Sequence, residues 1–114
     1  MFDFQNLEIY KKAKTFHINS LQIIQSNNFD KIVKDQLYRA SLSIVLNIAE
    51  GSGRFSKADR RNFFVIARSS VFECVAIVDT MHDKKEISNY IFTEYLSAAD
   101  EISRMLYAMI KNLS

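Results

Sequence analysis

The chain has 114 residues, 48% of them apolar, with nine Phe, five Tyr, two Gly, no Pro and a formal net charge of +2. That length allows one domain, 1–114, built on a single core. The composition excludes disorder and favours long unbroken helices. Its single cysteine, Cys74, cannot form an internal disulfide, which fits a reducing cytoplasm. Met1-Phe2-Asp3-Phe4 lacks the basic start and apolar centre of a signal peptide, and no apolar run approaches the roughly 18 residues of a membrane span.

A first helix is expected from about Asn6 to Gln25. Leu7, Tyr10, Ala13, His17, Leu21 and Ile24 recur at three- and four-residue steps, and Ile9, Phe16 and Ile23 widen that face. Ser26-Asn27-Asn28 breaks it, and Asn28 or Asp30 caps a second helix running from Lys31 to Glu50. The seam of this helix is Val33, Leu37, Ala40, Ile44, Asn47/Ile48 and Gly51. A second apolar arc, Tyr38, Leu42, Val45, Leu46 and Ala49, lies nearly opposite, leaving only a narrow polar stripe of Gln36, Arg39, Ser43 and Glu50. A helix apolar nearly all round is buried from more than one direction. Self-association through Tyr38, Leu42 and Leu46 is the reading adopted, the alternative being burial by three neighbours within one chain.

Both glycines fall in the next stretch, Asn47-Ile48-Ala49-Glu50-Gly51-Ser52-Gly53-Arg54. Gly51 is expected at the position just past the helix, where a positive φ closes the last turn. Ser56 caps a third helix to about Met81, with Asp59 three residues on as a capping-box variant. So short a link predicts an antiparallel hairpin. Phe64, Ala67, Val71, Cys74, Val75 and Val78 point inward; Val65, Phe72 and Ala76 form a second apolar edge bordered by Arg61 and Arg68. After the charged connector 82–86, Ser88 caps a fourth helix whose inward stripe runs from Phe92 to Leu113, with Glu94, Asp100, Glu101, Arg104 and Lys111 outward. The expected fold is all-α, an antiparallel up-down-up-down four-helix bundle.

Charge is distributed unevenly. Residues 31–68 carry eight cations against three carboxylates, a net +5, whereas 1–30 are neutral and 69–114 carry −3. Four of those cations are Arg54, Arg60, Arg61 and Arg68; with Lys57 and Arg39 they are the candidate phosphate-binding set, since a guanidinium fork bonds two oxygens at once. A solvated face with internal ion pairs is the competing reading, and Arg61 and Arg68 could instead be held in an interface. Asn47 and Glu50 read as a polar clamp of the hairpin, Glu50 pairing with Arg54, Arg60 or Arg61, or with an Arg of another subunit.

Catalytic signatures are lacking. A di-metal bundle needs two Glu-x-x-His pairs, and the nearest match is Asp79-Thr80-Met81-His82 at a helix end. His17 reads as a buried neutral histidine and Cys74 as a small core residue. Gly51-Ser52-Gly53 lacks the strand-to-helix context of a phosphate loop. Neither His17 nor His82 has the preceding Arg that some helical ribonucleases place on the same helix. No metal, cofactor or enzymatic activity is expected.

Leu7-Glu8-Ile9-Tyr10-Lys11-Lys12-Ala13, Gln36-Leu37-Tyr38-Arg39-Ala40-Ser41 and Asn47 to Arg54 resemble the four-helix-bundle family encoded in intervening sequences of bacterial large-subunit ribosomal RNA genes. The likeness continues through Phe63 to Ser70 and Glu73, departing at Ser69-Ser70, where the family often has Gly-Ser. The resemblance implies a cytoplasmic bundle assembling into a ring, a pentamer. It also brings in the accessory variability protein of diversity-generating retroelements, which looks like a relative and binds nucleic acid and a reverse transcriptase. Asn47, Glu50, Gly51, Gly53 and Arg54 match the family motif and inherit a structural role. The function expected is a non-catalytic homo-oligomer binding RNA or DNA backbone around the central hairpin, or alternatively a protein-interaction scaffold.

Overall fold

The computed structural model describes residues 1–113. A 3-10 turn, Asp3–Asn6, precedes four helices: α1, Glu8–Ser26; α2, Lys31–Ser52; α3, Lys57–Asp83; and α4, Asn89–Asn112. Two serines set where the long helices begin. Ser56 Oγ accepts the Asp59 amide at 3.1 Å, the forward half of the expected capping box, and Ser88 Oγ accepts the Ile91 amide at 3.2 Å. Asp30 occupies the cap position of α2 without a side-chain cap bond. Short links then fold each helix back on the one before it. α1 packs on α2, α2 on α3, α3 on α4 and, most lightly, α4 on α1, closing an up-down-up-down bundle. Its long axis of 44 Å is close to the roughly 40 Å that 27 helical residues span in α3.

The core runs the length of the bundle. Phe16, Leu37, Ile44, Ile48, Val71, Val78, Ile102 and Leu106 are its large, fully buried members. In α2, α3 and α4 these lie on the faces that periodicity picks out. In α1 the buried line is Ile9, Ala13, Phe16, Ser20 and Ile23. The expected seam residues Tyr10, His17, Leu21 and Ile24 flank it, half-buried, and Leu7 is exposed at the cap. Ile9, Ala13, Phe16 and Ile23 belong to the face that periodicity picks out; spacing alone could not say that the centre of that face lies on their side, where Phe16 and Ser20 meet Tyr95 of α4. A buried Tyr95 helped decide it, since Ser20 Oγ donates to the Phe16 carbonyl at 2.8 Å and shares a second 2.8 Å bond with the Tyr95 hydroxyl.

Gly51 corrects the sequence reading. It has no positive φ; α2 continues through it to Ser52, and Gly53 (φ −91°) is the cap. What Gly51 supplies is closeness. A Cβ built there would lie 2.8 Å from Phe64 Cε1 and 2.9 Å from Phe63 Cβ, inside contact distance. Ser69, by contrast, is exposed, so the Gly-to-Ser departure there leaves helix packing within the chain untouched.

The left-handed residue is at the other end of α3. Lys85 has φ 61°, with its amide on the His82 carbonyl and the Glu86 amide on the Met81 carbonyl, both at 2.9 Å: a Schellman closure with lysine where glycine is favoured. A Lys85→Gly variant is expected to gain about 0.5–1 kcal/mol, because the roughly 1–2 kcal/mol cost of a Cβ there exceeds glycine's extra chain entropy. Urea midpoints measure this; a lower midpoint for the variant would contradict it.

Candidate functional site

The α2–α3 turn is braced by its own backbone and by two of its arginines. Gly53 N–H donates to the Glu50 carbonyl at 3.1 Å and Arg54 N–H to the Gly51 carbonyl at 3.3 Å. Arg54 stacks on the Phe63 ring at 4.6 Å and stands 3.7 Å from the Glu50 carboxylate, one of the pairings anticipated. Arg60 Nε donates to the Arg54 carbonyl at 2.8 Å. Two cations of the set are therefore partly spent on holding the turn. Lys57 and Arg61 are exposed, and among the described residues their side chains meet no carboxylate. Phe55 stands between Arg54 and Ser56 at 102% exposure. Sequence reasoning passed over it, although an aromatic residue inside a basic turn was signal enough.

The other two candidate arginines lie elsewhere. Arg39 is on α2 about 18 Å of helix rise before Gly51, exposed on the polar stripe. Arg68 is half-buried between α3 and α4, its Nε donating to the Ser103 carbonyl at 3.3 Å and its guanidinium over the rings of Phe72 and Tyr107 at 4.8 and 5.4 Å. The six cations are thus one cluster of four at the hairpin end and two outliers. Asn47 does not reach across the hairpin itself. It donates to the Ser43 carbonyl and Oγ at 2.8 and 3.0 Å, and Ser70 on α3 donates to that same Ser43 Oγ at 2.9 Å. The clamp between α2 and α3 is this serine pair, with Asn47 holding Ser43 in place.

Among the described residues the exposed apolar side chains of α2 and α3 lie on two separate faces. On α2, Tyr38 and Leu46 are 46% and 53% exposed and Leu42 half-buried between them; Tyr38 packs edge-on against His17, so this stripe borders α1, where Ile18 is exposed too. On α3, Phe72 is 55% exposed and, with Val75, Ala76 and Leu96, lines an open groove of about 840 Å³ between α3 and α4. Because α2 and α3 are neighbours with α1 and α4 on their far sides, the ridge and the groove lie on opposite edges of the hairpin.

The buried titratable groups are held in neutral forms. Burial pushes the Cys74 thiol up to about 12 and raises the Tyr95 phenol well above its ordinary value. Neither can serve as a nucleophile near neutrality. His17 shares a 2.8 Å hydrogen bond with Ser41 Oγ, and partial burial lowers its pKa from 6.5. Below pH 6.5 the unfolded chain therefore takes a proton at His17 that the folded chain resists, so stability falls as pH drops through that value. A His17→Gln variant is expected to show a flatter stability profile between pH 7.5 and 5 in urea titrations; a profile parallel to that of the original protein would refute this. Among the described residues no group of three or more His, Cys, Asp and Glu could hold a metal ion, and no helix is long and apolar enough to cross a membrane.

A family model described as 23S rRNA-intervening sequence protein matches residues 5–108. No curated protein matches the chain at a significant level. Among solved structures, a protein of unknown function from the S23 ribosomal protein family of Bacteroides thetaiotaomicron superposes with a TM-score of 0.86, covering 90% of this chain and 98% of that one. The two are 21% identical, a level at which the likeness speaks for the fold.

Proposed function

The chain belongs to the 23S rRNA-intervening sequence protein family, and from that premise we propose that it is a non-catalytic bundle that assembles head to tail into a ring and holds RNA or DNA by its phosphates. The observation that carries the binding reading is the pair Lys57 and Arg61, exposed at the hairpin end and, among the described residues, in no ion pair. Exposed cations without internal partners can release counterions from a phosphate chain, which gives backbone binding with little sequence preference and a steep salt dependence.

The ring reading rests on the uncovered ridge and groove. A ridge carrying Tyr38 and Leu46 on one edge and, on the other, a groove lined by Phe72, Val75 and Leu96 together with Arg68, Asp79, Asp100 and Arg104 are unlike surfaces, so that copies meeting ridge to groove would make the heterologous contact that closes rings. Rotation about the ring axis repeats every hairpin end at the same height. Copies standing with their long axes along that axis would therefore gather Lys57 and Arg61 on one rim, and repeated weak contacts raise overall affinity. The family resemblance suggests five copies.

A Lys57→Glu/Arg61→Glu variant is the direct test, since neither side chain supports the turn. Nucleic-acid affinity measured by fluorescence anisotropy is expected to fall, and the slope of log K against log salt to flatten by about 1 for each lost phosphate contact. An unchanged slope in a variant that assembles normally would exclude this surface. The competing reading, a scaffold for a protein such as a reverse transcriptase, predicts a partner that stays bound after nuclease digestion in pull-down experiments.

A further inference from the structure

Among the described residues Phe55 is the most exposed large apolar side chain, at 102%, and it makes no ring contact with another aromatic. It is not on a loose loop. On its N-terminal side the chain is tied by Gly53 and Arg54 amides to the end of α2 and by Arg60 Nε to the Arg54 carbonyl at 2.8 Å. On its C-terminal side Ser56 accepts the Asp59 amide through Oγ and the Arg60 amide through its carbonyl, both at 3.1 Å. A backbone anchored on both flanks presents the ring without first having to order itself.

Cations flank Phe55 along the chain. Arg54 precedes it, Lys57 follows two residues on, and Arg60 and Arg61 lie one turn further along α3. An aromatic side chain in a stretch whose Lys57 and Arg61 stand in no ion pair among the described residues matches a nucleotide strand, which offers flat bases along a phosphate chain. We propose that Phe55 stacks on an unpaired base, so that the hairpin end binds single-stranded nucleic acid in preference to duplex. This rests on the phosphate-binding reading of the same surface. In a duplex both faces of each base are already stacked, and a wedge must first unstack a step. A single strand exposes those faces, and a phenyl ring takes any base because every base has a π-face. The ridge and the groove are on the sides of the bundle, so Phe55 at its end is not needed for ring closure.

The test uses the full chain with a labelled single-stranded 20-mer RNA and its duplex, in the original protein and in Phe55→Ala, Phe55→Leu and Phe55→Trp. Single-strand affinity is expected to fall on the order of tenfold in Phe55→Ala, with Phe55→Leu close to it. Duplex affinity should move less than about twofold, being set by backbone charge. Phe55→Trp should keep single-strand affinity, its indole fluorescence quenched as the strand binds. Three results would overturn the proposal: full single-strand affinity in Phe55→Ala, an equal loss on strand and duplex, or a change of oligomeric state. If Phe55→Ala has no effect while Lys57→Glu/Arg61→Glu still weakens both ligands, only the stacking role falls. If the original protein binds neither ligand, the phosphate-binding reading falls with it.

Discussion

Leu46→Glu and Phe72→Glu proteins, each monomeric alone, are expected to form a one-to-one heterodimer when mixed. Both positions are more than half exposed in the single chain, so a carboxylate at either should change folding stability by less than about 1 kcal/mol. Assembly is another matter, because an interface would have to desolvate that carboxylate, at a cost of several kcal/mol even at position 72, where Arg68 is near enough to pair with it. In a head-to-tail ring each copy uses its α1/α2 ridge on one side and its α3/α4 groove on the other. The Leu46→Glu protein keeps its groove and the Phe72→Glu protein keeps its ridge, so one productive contact survives in the mixture and growth stops there. Light scattering of each protein and of the mixture, at several concentrations, reads the outcome. If Leu46→Glu dissociates the protein while Phe72→Glu leaves it assembled, the contact is a self-complementary α2 patch and not a ring. An original protein that stays monomeric at tens of micromolar would remove the assembly reading altogether.

The second large effect is at Gly51. Replacing a helical glycine by alanine ordinarily gains about 1 kcal/mol in helix propensity. Here the added methyl would sit 2.8 Å from Phe64 Cε1 and 2.9 Å from Phe63 Cβ, against a buried ring and an atom next to the α3 backbone. Overpacking of that kind costs typically 1–3 kcal/mol. Gly51→Ala is therefore expected to be destabilised by up to about 2 kcal/mol net, and Gly51→Val by more. Phe64→Leu in the Gly51→Ala background should recover part of the loss, since it removes the ring atom in the way. Gly53→Ala is the control: its nearest atoms would be 3.6 and 3.9 Å away and its φ of −91° suits any residue. It should unfold within about 0.5 kcal/mol of the original. A Gly51→Ala protein as stable as Gly53→Ala would mean that α2 and α3 separate slightly at no cost, and that the glycine is not there for close approach.

These two positions show how far the sequence could be read. The spacing of Leu37, Ala40, Ile44 and Ile48, and of Phe64, Ala67, Val71, Cys74 and Val78, pointed to the buried faces of α2 and α3 correctly. Serines followed by an amide three residues on marked the starts of α3 and α4. Gly51 was misread because a glycine near a helix end has two uses, a left-handed turn or a close contact. Only the position of Phe63 and Phe64 on the facing helix separates them. Lys85 is the converse, a left-handed closure that its residue type concealed.

Charge shows the same division. A net +5 over residues 31–68 was legible from composition, but Arg68 and Arg54 carry the same charge and do different things. One lies under Phe72 and Tyr107 with a bond to α4, the other braces the turn at the hairpin end. The sequence by itself determined four helices, their order, their ends to within a few residues, and the excess of apolar surface on the middle pair, because each follows from local spacing and composition. The tertiary structure decided which stripe of α1 is buried, what Gly51 is for, which cations stand together, and that the uncovered apolar surface is two faces and not one. Those depend on how helices are rotated against one another, and a rotation is fixed by contacts between residues far apart in the chain.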